Sequence, residues 1–283
     1  IFNYVKKKYE AKTVVYITDD YILPRKTLSP FWKIRRKLVF NKMKDAIENS
    51  DLFITISSKM QKTYKKIFNK DSILAMNMSE KLGQSNPKAS DSNKITFIYA
   101  GGLHYNRYKT LHLLAQALKK HNNNSTDKKA FLEIYSTNPP EQSIKNLLNI
   151  NGVSKFCGSL NQNELKDKLN LTDIPVHVES FDQKSIESTR LSISTKIPEY
   201  LSLAKPVLAI GPRNVASMEY LSGTAFCITD QEEIYKQVVE LINNKELQIE
   251  LARSAIEKYE QNHQKDVTVN NLINEILGVC KNN

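Results

Sequence analysis

The sequence lacks the signals that would place it in a membrane or in an oxidising compartment. No stretch approaches the roughly 18 consecutive apolar residues of a membrane-spanning helix. The amino terminus, Ile1 to Lys6, has neither the apolar core of a signal peptide nor an initiator Met, so we expect a fragment or a processed chain. Cys157, Cys227 and Cys280 are scattered and odd in number, which argues against a disulfide framework and favours the reducing cytoplasm.

Several common catalytic motifs are missing as well. The sequence has no C-x-x-C pair, and its five histidines show no metal-ligand spacing, so nothing suggests a zinc site. It has neither G-x-G-x-x-G nor a Walker motif, which leaves a Rossmann-type oxidoreductase or an ATP-binding protein without support. It also lacks the G-x-S-x-G elbow of serine hydrolases.

Positive charge is present in excess, and most of the excess lies in the first third. Residues 1–93 hold 19 Lys and Arg against 9 Asp and Glu, whereas the remainder holds 22 against 21. Such a basic face can bind an anionic membrane surface, nucleic acid or an acidic substrate, and a solvated lysine-rich surface is the alternative. No base-stacking platform accompanies the charge, so we expect no nucleic acid partner.

Strands and helices alternate along the chain. The predicted strands are 13–18, 52–56, 72–75, 95–99, 131–135, 153–156, 175–178, 207–210 and 225–228. A helix is predicted at 58–68, and the chain from residue 178 to the helix of Glu199 is expected to be loop. Residues 79–93 are polar and contain Gly, Pro and Ser, which is typical of a linker. The repeated strand–helix units after this linker predict an α/β fold with a doubly wound parallel sheet, whose ligands bind beyond the carboxyl ends of the strands.

The segment Ser194–Ala209 combines a loop, a short helix and a buried strand. Pro198 suits a first helical turn, and the backbone N–H groups of Ser194, Thr195 and Lys196 could bind a phosphate. Glu199 could reach the hydroxyl groups of the same ligand. An ordinary capped helix followed by a strand is the alternative.

This segment resembles the nucleotide-sugar signature of retaining glycosyltransferases with the GT-B fold, in the family 4-like group that includes bacterial surface-polysaccharide enzymes. In that family a Glu begins a helix and a Lys-Pro-Val strand follows six residues later, as Glu199 precedes Lys205-Pro206-Val207. The resemblance implies two Rossmann-like domains, an acceptor-side domain at 1–78 and a nucleotide-sugar-binding domain at 94–283. The first domain would be incomplete, as in an amino-terminally truncated chain, and the last helix could cross back to it.

A second candidate element is the loop that begins with Gly101 and Gly102. Glycines let the backbone approach a ligand closely, and Arg107 and Lys109 could neutralise a diphosphate. Lys109 also takes the place of the Lys in the family's glycine loop, whereas the family's Arg after the glycine is Leu103 here. A solvated helix start is the alternative for both cations. His104 is a candidate contact to the donor or a plain loop residue.

The resemblance also implies where the donor sugar is recognised. Glu199 matches the second of two family glutamates, which contacts the nucleotide ribose, but the first falls at Leu191. Glu179 follows an apolar strand and is therefore a candidate for donor binding, with a structural carboxylate as the alternative; Arg190 and Ser192 lie in the same region.

Two acids, Asp19 and Asp20, end the first predicted strand. Such a pair could bind a metal, hold sugar hydroxyls or orient an acceptor. The family places a His or Asp near the donor sugar at this strand end, so Asp19 is our catalytic candidate; an Asp-rich turn or helix cap is the alternative. Arg25, Lys26 and Trp32 lie nearby and could serve an acceptor.

The implied function is transfer of a sugar from a nucleotide-sugar to an acceptor hydroxyl in the synthesis of capsule, lipopolysaccharide or another surface glycan. We expect no cofactor and no metal, because fixed cations can stabilise the leaving diphosphate. The expected partners are the donor, a glycan or lipid-linked acceptor and an anionic membrane surface at the inner face of the cell membrane. A non-catalytic nucleotide-sugar-binding subunit or an inactive fragment is the alternative.

Overall fold

The computed structural model describes residues 2–23, 30–83 and 93–281. They form an α/β structure with two parallel sheets, one of three strands and one of six, so the predicted fold class is confirmed. No helix among the described residues combines the length and the apolar character needed to cross a bilayer.

The first sheet has the strand order β1-β2-β3. Its elements in chain order are α1 (Phe2–Tyr9), β1 (Val14–Ile17), α2 (Pro30–Glu48), β2 (Leu52–Thr55), α3 (Ser58–Phe68) and β3 (Ile73–Leu74). The central strand β2 is buried at every position, as expected for a parallel strand covered on both faces. Helix α3 begins where the Ser57 side chain accepts a hydrogen bond from the Met60 N–H, and it ends at Asn69 in a left-handed conformation.

The second sheet has the order β6-β5-β4-β7-β8-β9. Its strands are β4 (Lys94–Ala100), β5 (Lys129–Tyr135), β6 (Ser154–Gly158), β7 (Ile174–Val178), β8 (Leu208–Ile210) and β9 (Phe226–Ile228). The order reverses at β4 and β7, as in a Rossmann sheet, and such a switch point creates a crevice for ligands at the carboxyl ends of the strands.

Nine helices complete the part of the chain that the structure describes beyond residue 93. They are α4 (Arg107–Asn124), α5 (Gln142–Leu148), α6 (Gln162–Leu171), α7 (Gln183–Thr189), α8 (Ile197–Leu201), α9 (Ala216–Leu221), α10 (Ile234–Asn243), α11 (Lys245–Asn262) and α12 (Lys265–Lys281). The last helix packs Leu272, Ile276 and Val279 against Leu52 and Ile54 of the first sheet. The carboxyl-terminal helix, which follows α11 of the second half, therefore packs on the first sheet.

Two helices differ from the sequence expectation. Helix α1 was not predicted, and it has no buried residue; it is attached by Asn3 to Asp45 and by Lys6 to Asp51. Helix α7 occupies a segment expected to be loop. The predicted linker 79–93 is described only at its two ends, and its first residues dock on the second sheet's helices, with the Gly83 N–H donating to the Ser202 carbonyl.

Candidate active site

A cavity of about 570 Å³ opens where the two sheets meet, at the carboxyl ends of β1, β4, β5 and β7. This volume lies in the range of small-molecule sites, roughly 300–1,000 Å³. The structure brings ten of the eleven predicted site residues to its wall. These are Asp19, Gly101, Gly102, His104, Arg107, Glu179, Ser194, Thr195, Lys196 and Glu199.

The glycine loop after β4 is shaped by close packing. A Cβ atom at Gly101 would lie 2.8 Å from the Tyr99 hydroxyl oxygen, and one at Gly102 would overlap the His104 ring. Tyr105 and Asn106 both adopt positive φ, 56° and 57°, which is strained for a residue as large as Tyr. Even a Cβ atom at either glycine would force a neighbouring side chain to move, so the glycine backbone itself borders the cavity.

Arg107 and Glu179 form a buried ion pair at the back of the cavity. Nη2 of Arg107 lies 2.9 and 3.1 Å from the two carboxylate oxygens, and Nε lies 3.2 Å from Oε2. Burial alone would raise the pKa of Glu179, but His177 and Arg107 hold it below the ordinary value. Burial would lower the pKa of Arg107, and the Glu179 carboxylate raises it instead. The pair is therefore ionised and internally neutral.

His104 lies beside this pair. Its Nε2 atom is 3.2 Å from Nη1 of Arg107, and its ring stacks edge-on against Tyr105. Burial and the neighbouring guanidinium lower the pKa of His104, so the imidazole is neutral at pH 7. A neutral imidazole can donate or accept a hydrogen bond to a ligand but supplies no positive charge.

Lys109 is the predicted site residue that the structure does not bring to the cavity. Its ammonium group lies 3.1 Å from an Asp182 oxygen in an exposed ion pair. Arg107 and Lys109 are two residues apart on α4, and positions so spaced do not share a helix face. Only one of them can therefore point into the cavity.

The loop before α8 supplies a cation and a carboxylate. Lys196 Nζ lies 3.0 Å from both oxygens of Glu199, and both side chains remain about one-third exposed. The backbone N–H groups of Ser194 and Thr195 donate to no other group among the described residues. Behind them, the buried Tyr200 hydroxyl donates to the Ala100 carbonyl at 3.1 Å and accepts from the Ala100 N–H at 3.0 Å, which joins α8 to β4.

Asp19 and Asp20 differ in their surroundings. Asp19 lines the cavity and accepts a hydrogen bond of 2.6 Å from the Ser192 hydroxyl. Asp20 is buried, accepts from the Leu23 N–H and the Tyr64 hydroxyl, and pairs with Arg190 at 3.3 Å. The second acid is therefore a structural group that caps a turn.

Residues 190–192 connect the two halves of the molecule at the cavity rim. Leu191 is buried in the apolar core of the first sheet, and its carbonyl accepts a hydrogen bond of 2.7 Å from Ser57. The position at which the resemblance expects a first glutamate is thus an apolar contact. Of the predicted acceptor residues, Arg25 and Lys26 lie outside the described residues, and Trp32 lies on α2 and does not line the cavity.

The sequence reasoning missed part of the wall. Ser136 and Thr137 follow β5, and Asn161 and Gln162 begin α6. All four lie just beyond the carboxyl ends of neighbouring strands, so the position rule for parallel sheets could have found them. Among the described residues, no three His, Cys, Asp or Glu side chains come together as metal ligands. That the nucleotide-sugar binds without a metal ion stays a prediction.

Solved structures share this architecture. TarM from S. aureus has a TM-score of 0.64 at 12% identity, with 93% of this chain and 50% of TarM covered. WaaG, a glycosyltransferase involved in lipopolysaccharide biosynthesis, has a TM-score of 0.65 at 11% identity, covering 95% of this chain and 78% of WaaG. Anabaena HepE in complex with UDP-glucose has a TM-score of 0.63 at 17% identity, covering 97% of this chain and 74% of HepE.

This chain has the GT-B glycosyltransferase fold. The likeness is one of structure, because no protein-family profile and no curated protein matches the sequence. The chain spans about half the length of TarM. In the GT-B arrangement seen here, the cavity lies in the cleft between the two parallel sheets, with Asp19 on one wall and Glu199 on the other.

Proposed function

We propose that this chain binds a nucleotide-sugar in the cleft and transfers its sugar to an acceptor hydroxyl. The observation that carries the proposal is the convergence of the glycine loop, Ser194–Lys196 and Glu199 on one cavity of suitable size. HepE, which has the same fold, binds UDP-glucose. In the proposed reaction the bond from the sugar to the diphosphate breaks with its electron pair on the phosphate oxygen. The acceptor hydroxyl oxygen takes its place on the sugar carbon, and the hydroxyl proton passes to the departing diphosphate.

Lys196 is the cation best suited to the diphosphate. Arg107 is held by a buried carboxylate, whereas the Lys196–Glu199 pair is partly exposed and contributes roughly 0–1 kcal/mol. A diphosphate can displace Glu199 from Lys196 at little cost. The freed carboxylate can then accept hydrogen bonds from the ribose hydroxyls, while the Ser194 and Thr195 N–H groups bind phosphate oxygens.

Asp19 and His104 are the proposed groups near the sugar. Asp19 is fixed by Ser192, and His104 is a neutral hydrogen-bonding group across the cavity. Arg107 and Glu179 hold the glycine loop against β7 and act as positioning residues. Retention of the anomeric configuration and a place in surface-glycan synthesis are parts of this proposal that rest on the family resemblance. The metal-free diphosphate site rests on the fixed cations, and the cytoplasmic place at the inner face of the membrane rests on the scattered cysteines and the basic first third.

The experiment is calorimetric titration of the purified chain with nucleoside diphosphates and their sugars. We expect micromolar binding of one nucleotide, and Lys196→Ala or Glu199→Ala should each weaken it about tenfold or more, as expected for the loss of a charge-assisted hydrogen bond. Lys109→Ala is the matched control and should bind normally. Equal losses for Lys196→Ala and Lys109→Ala, or no binding by the wild type, would contradict the assignment.

A nucleotide-sugar-binding subunit without transferase activity is the second candidate. Leu191 favours it, because its burial leaves no carboxylate at the position where the family resemblance expects one. Binding of the nucleotide-sugar without release of nucleoside diphosphate, with water or with simple sugar acceptors, would support this candidate over the enzyme.

A further inference from the structure

His104 in the glycine loop uses only one of its two ring nitrogens. Nε2 lies 3.2 Å from Nη1 of Arg107, whereas Nδ1 makes no hydrogen bond within the described part of the chain. A guanidinium has five N–H donors and no acceptor, so Nε2 has to accept a hydrogen bond from it. In a neutral imidazole the proton must then be on Nδ1. The contact with Arg107 therefore decides which nitrogen of His104 can donate.

The guanidinium of Arg107 is itself held in place. Its Nε and Nη2 atoms contact the Glu179 carboxylate at 2.9, 3.1 and 3.2 Å, and both side chains are largely buried. Contacts through two nitrogens fix the plane of a guanidinium as well as its position. Nη1 is the remaining nitrogen, and it stays directed at the ring of His104.

A second histidine meets the same carboxylate inside the protein. His177 on β7 is buried, and its Nε2 atom lies 3.5 Å from Oε1 of Glu179. This nitrogen has no closer hydrogen-bond partner among the residues that the structure describes. An ionised carboxylate only accepts and would repel a lone pair, so Nε2 of His177 carries the proton. The geometry thus predicts opposite tautomers for the two histidines around this ion pair.

Nδ1 of His104 is open to the cavity because residue 102 is a glycine. A Cβ atom there would overlap Nδ1 and Cε1 of the ring. Asp19 lines the same cavity, and its negative charge acts to raise the pKa of His104, so the carboxylate lies within electrostatic reach of the ring. Its two oxygens accept one hydrogen bond each, from Ser192 and Tyr21, and can accept more. The cavity therefore presents an N–H donor and a carboxylate acceptor to the same ligand.

A hydroxyl group satisfies both of these side chains, because it donates and accepts at once. A phosphate or carboxylate could accept from Nδ1, but the negative charge of Asp19 would repel it. We propose that the buried ion pair holds His104 as the Nδ1–H tautomer, and that Nδ1 donates to a hydroxyl group of the bound sugar, which in turn donates to Asp19. Arg107, Glu179 and His177 are then positioning residues. The sugar contact rests on the proposed function, whereas the tautomer does not.

Two-bond ¹H–¹⁵N correlation spectra of the labelled chain without ligand measure the tautomers. We expect His104 to be protonated at Nδ1 and His177 at Nε2. The same spectrum holds a reference for each form, because backbone carbonyl groups only accept. Nδ1 of His263 lies 2.6 Å from a backbone carbonyl oxygen, and Nε2 of His121 lies 3.0 Å from another. A proton on Nε2 of His104, or an equal mixture of both forms, would overturn the proposal.

The role of the ion pair is tested by removing it. Arg107→Met/Glu179→Gln deletes both charges and leaves no buried carboxylate unpaired. His104 should then lose its fixed tautomer and show a mixture in which the Nε2–H form has risen. Lys109→Met, which breaks an exposed pair on the same helix, is the matched control and should leave the His104 signals as in the wild type. Unchanged His104 signals in the double variant, with its fold checked by circular dichroism, would refute the positioning role.

Two amide substitutions at position 104 test the contact with the sugar. The amide nitrogen of Asn lies near the place of Nδ1, and that of Gln lies near the place of Nε2. We would titrate UDP-glucose, or the member of the nucleotide-sugar panel that the wild type binds. His104→Gln should weaken its binding about fivefold, as expected for the loss of one hydrogen bond, and His104→Asn should recover most of that loss. The nucleoside diphosphate alone should bind all three proteins equally.

Equal losses in the two variants, or the same loss for the nucleoside diphosphate, would show that Nδ1 does not contact a sugar hydroxyl. If no nucleotide-sugar binds to the wild type, the sugar contact fails together with the proposed function, and the spectra of the ligand-free chain still decide the tautomer. If a nucleotide-sugar binds and His104 has the other tautomer, the proposed function stands and this inference is wrong.

Discussion

Replacing Arg107 by Met should destabilise the protein strongly. The Glu179 side chain is 2% exposed and that of Arg107 is 14% exposed, so the substitution would leave a carboxylate buried without its partner. Breaking a buried ion pair in this way costs about 3–5 kcal/mol, whereas an exposed pair is worth at most about 1 kcal/mol. We therefore expect Arg107→Met to lower the free energy of unfolding by about 3–5 kcal/mol.

Two control variants isolate the charge effect. Arg107→Met/Glu179→Gln removes both charges, and it should be more stable than the single variant because no uncompensated carboxylate remains. Lys109 lies on α4 two residues after Arg107 and forms an exposed pair with Asp182. Lys109→Met breaks that pair and should lower the free energy of unfolding by less than about 1 kcal/mol. Urea unfolding followed by circular dichroism measures all three.

The pH dependence gives an independent check. In the wild type the folded-state pKa of Glu179 lies below its unfolded value, so its contribution to stability is present above the unfolded pKa and is lost as pH falls through the folded one. Without Arg107, only His177 opposes the effect of burial on Glu179, so the folded-state pKa of Glu179 should rise and the loss of stability on acidification should shrink. A loss below about 1 kcal/mol for Arg107→Met, or the same pH slope as the wild type, would refute the reasoning.

Two further predictions concern buried polar side chains, the Tyr200 hydroxyl and the His263 imidazole. Tyr200→Phe removes the hydroxyl that bonds both backbone groups of Ala100, and it should cost about 1–3 kcal/mol in urea unfolding; an unchanged midpoint would contradict this. Burial lowers the pKa of His263 to about 4, so the wild type should lose roughly 3 kcal/mol as pH falls from about 6.5 to 4. His263→Gln should lack that component, and an identical acid profile in the variant would rule it out.

The sequence predicted the fold because its local signals agree with the tertiary structure. Helix α3 was predicted at its observed bounds, since an N-cap serine and Asn69 mark its ends. Helix α1 was missed because none of its side chains is buried. Phe2 packs, partly buried, against the first-sheet core, and Asn3 and Lys6 make polar contacts. Helix α7 was missed because its sequence is largely polar.

The sequence predicts where most of the site residues lie, but it does not predict which of them pair. Each candidate follows a parallel strand, so the topology gathers them at one edge. The Arg107–Glu179 pair joins residues 72 positions apart, and no local spacing indicates such a contact. By contrast, the separation of Arg107 from Lys109 was foreseeable from the helix period, because α4 begins at Arg107.

The packing of Leu191 explains why this position holds no carboxylate, although the family resemblance expects a glutamate there. Three consecutive residues each bind the first half of the molecule: Arg190 pairs with Asp20, Leu191 enters the apolar core, and Ser192 donates to Asp19. A carboxylate at position 191 would have to be buried among apolar side chains, at a cost of several kcal/mol. The segment therefore cannot offer an acid to a sugar without releasing this contact between the two halves. Under the proposed function, a carboxylate for the sugar has to come from elsewhere in the cavity, and Asp19, held by Ser192, is the one that the same contact places there.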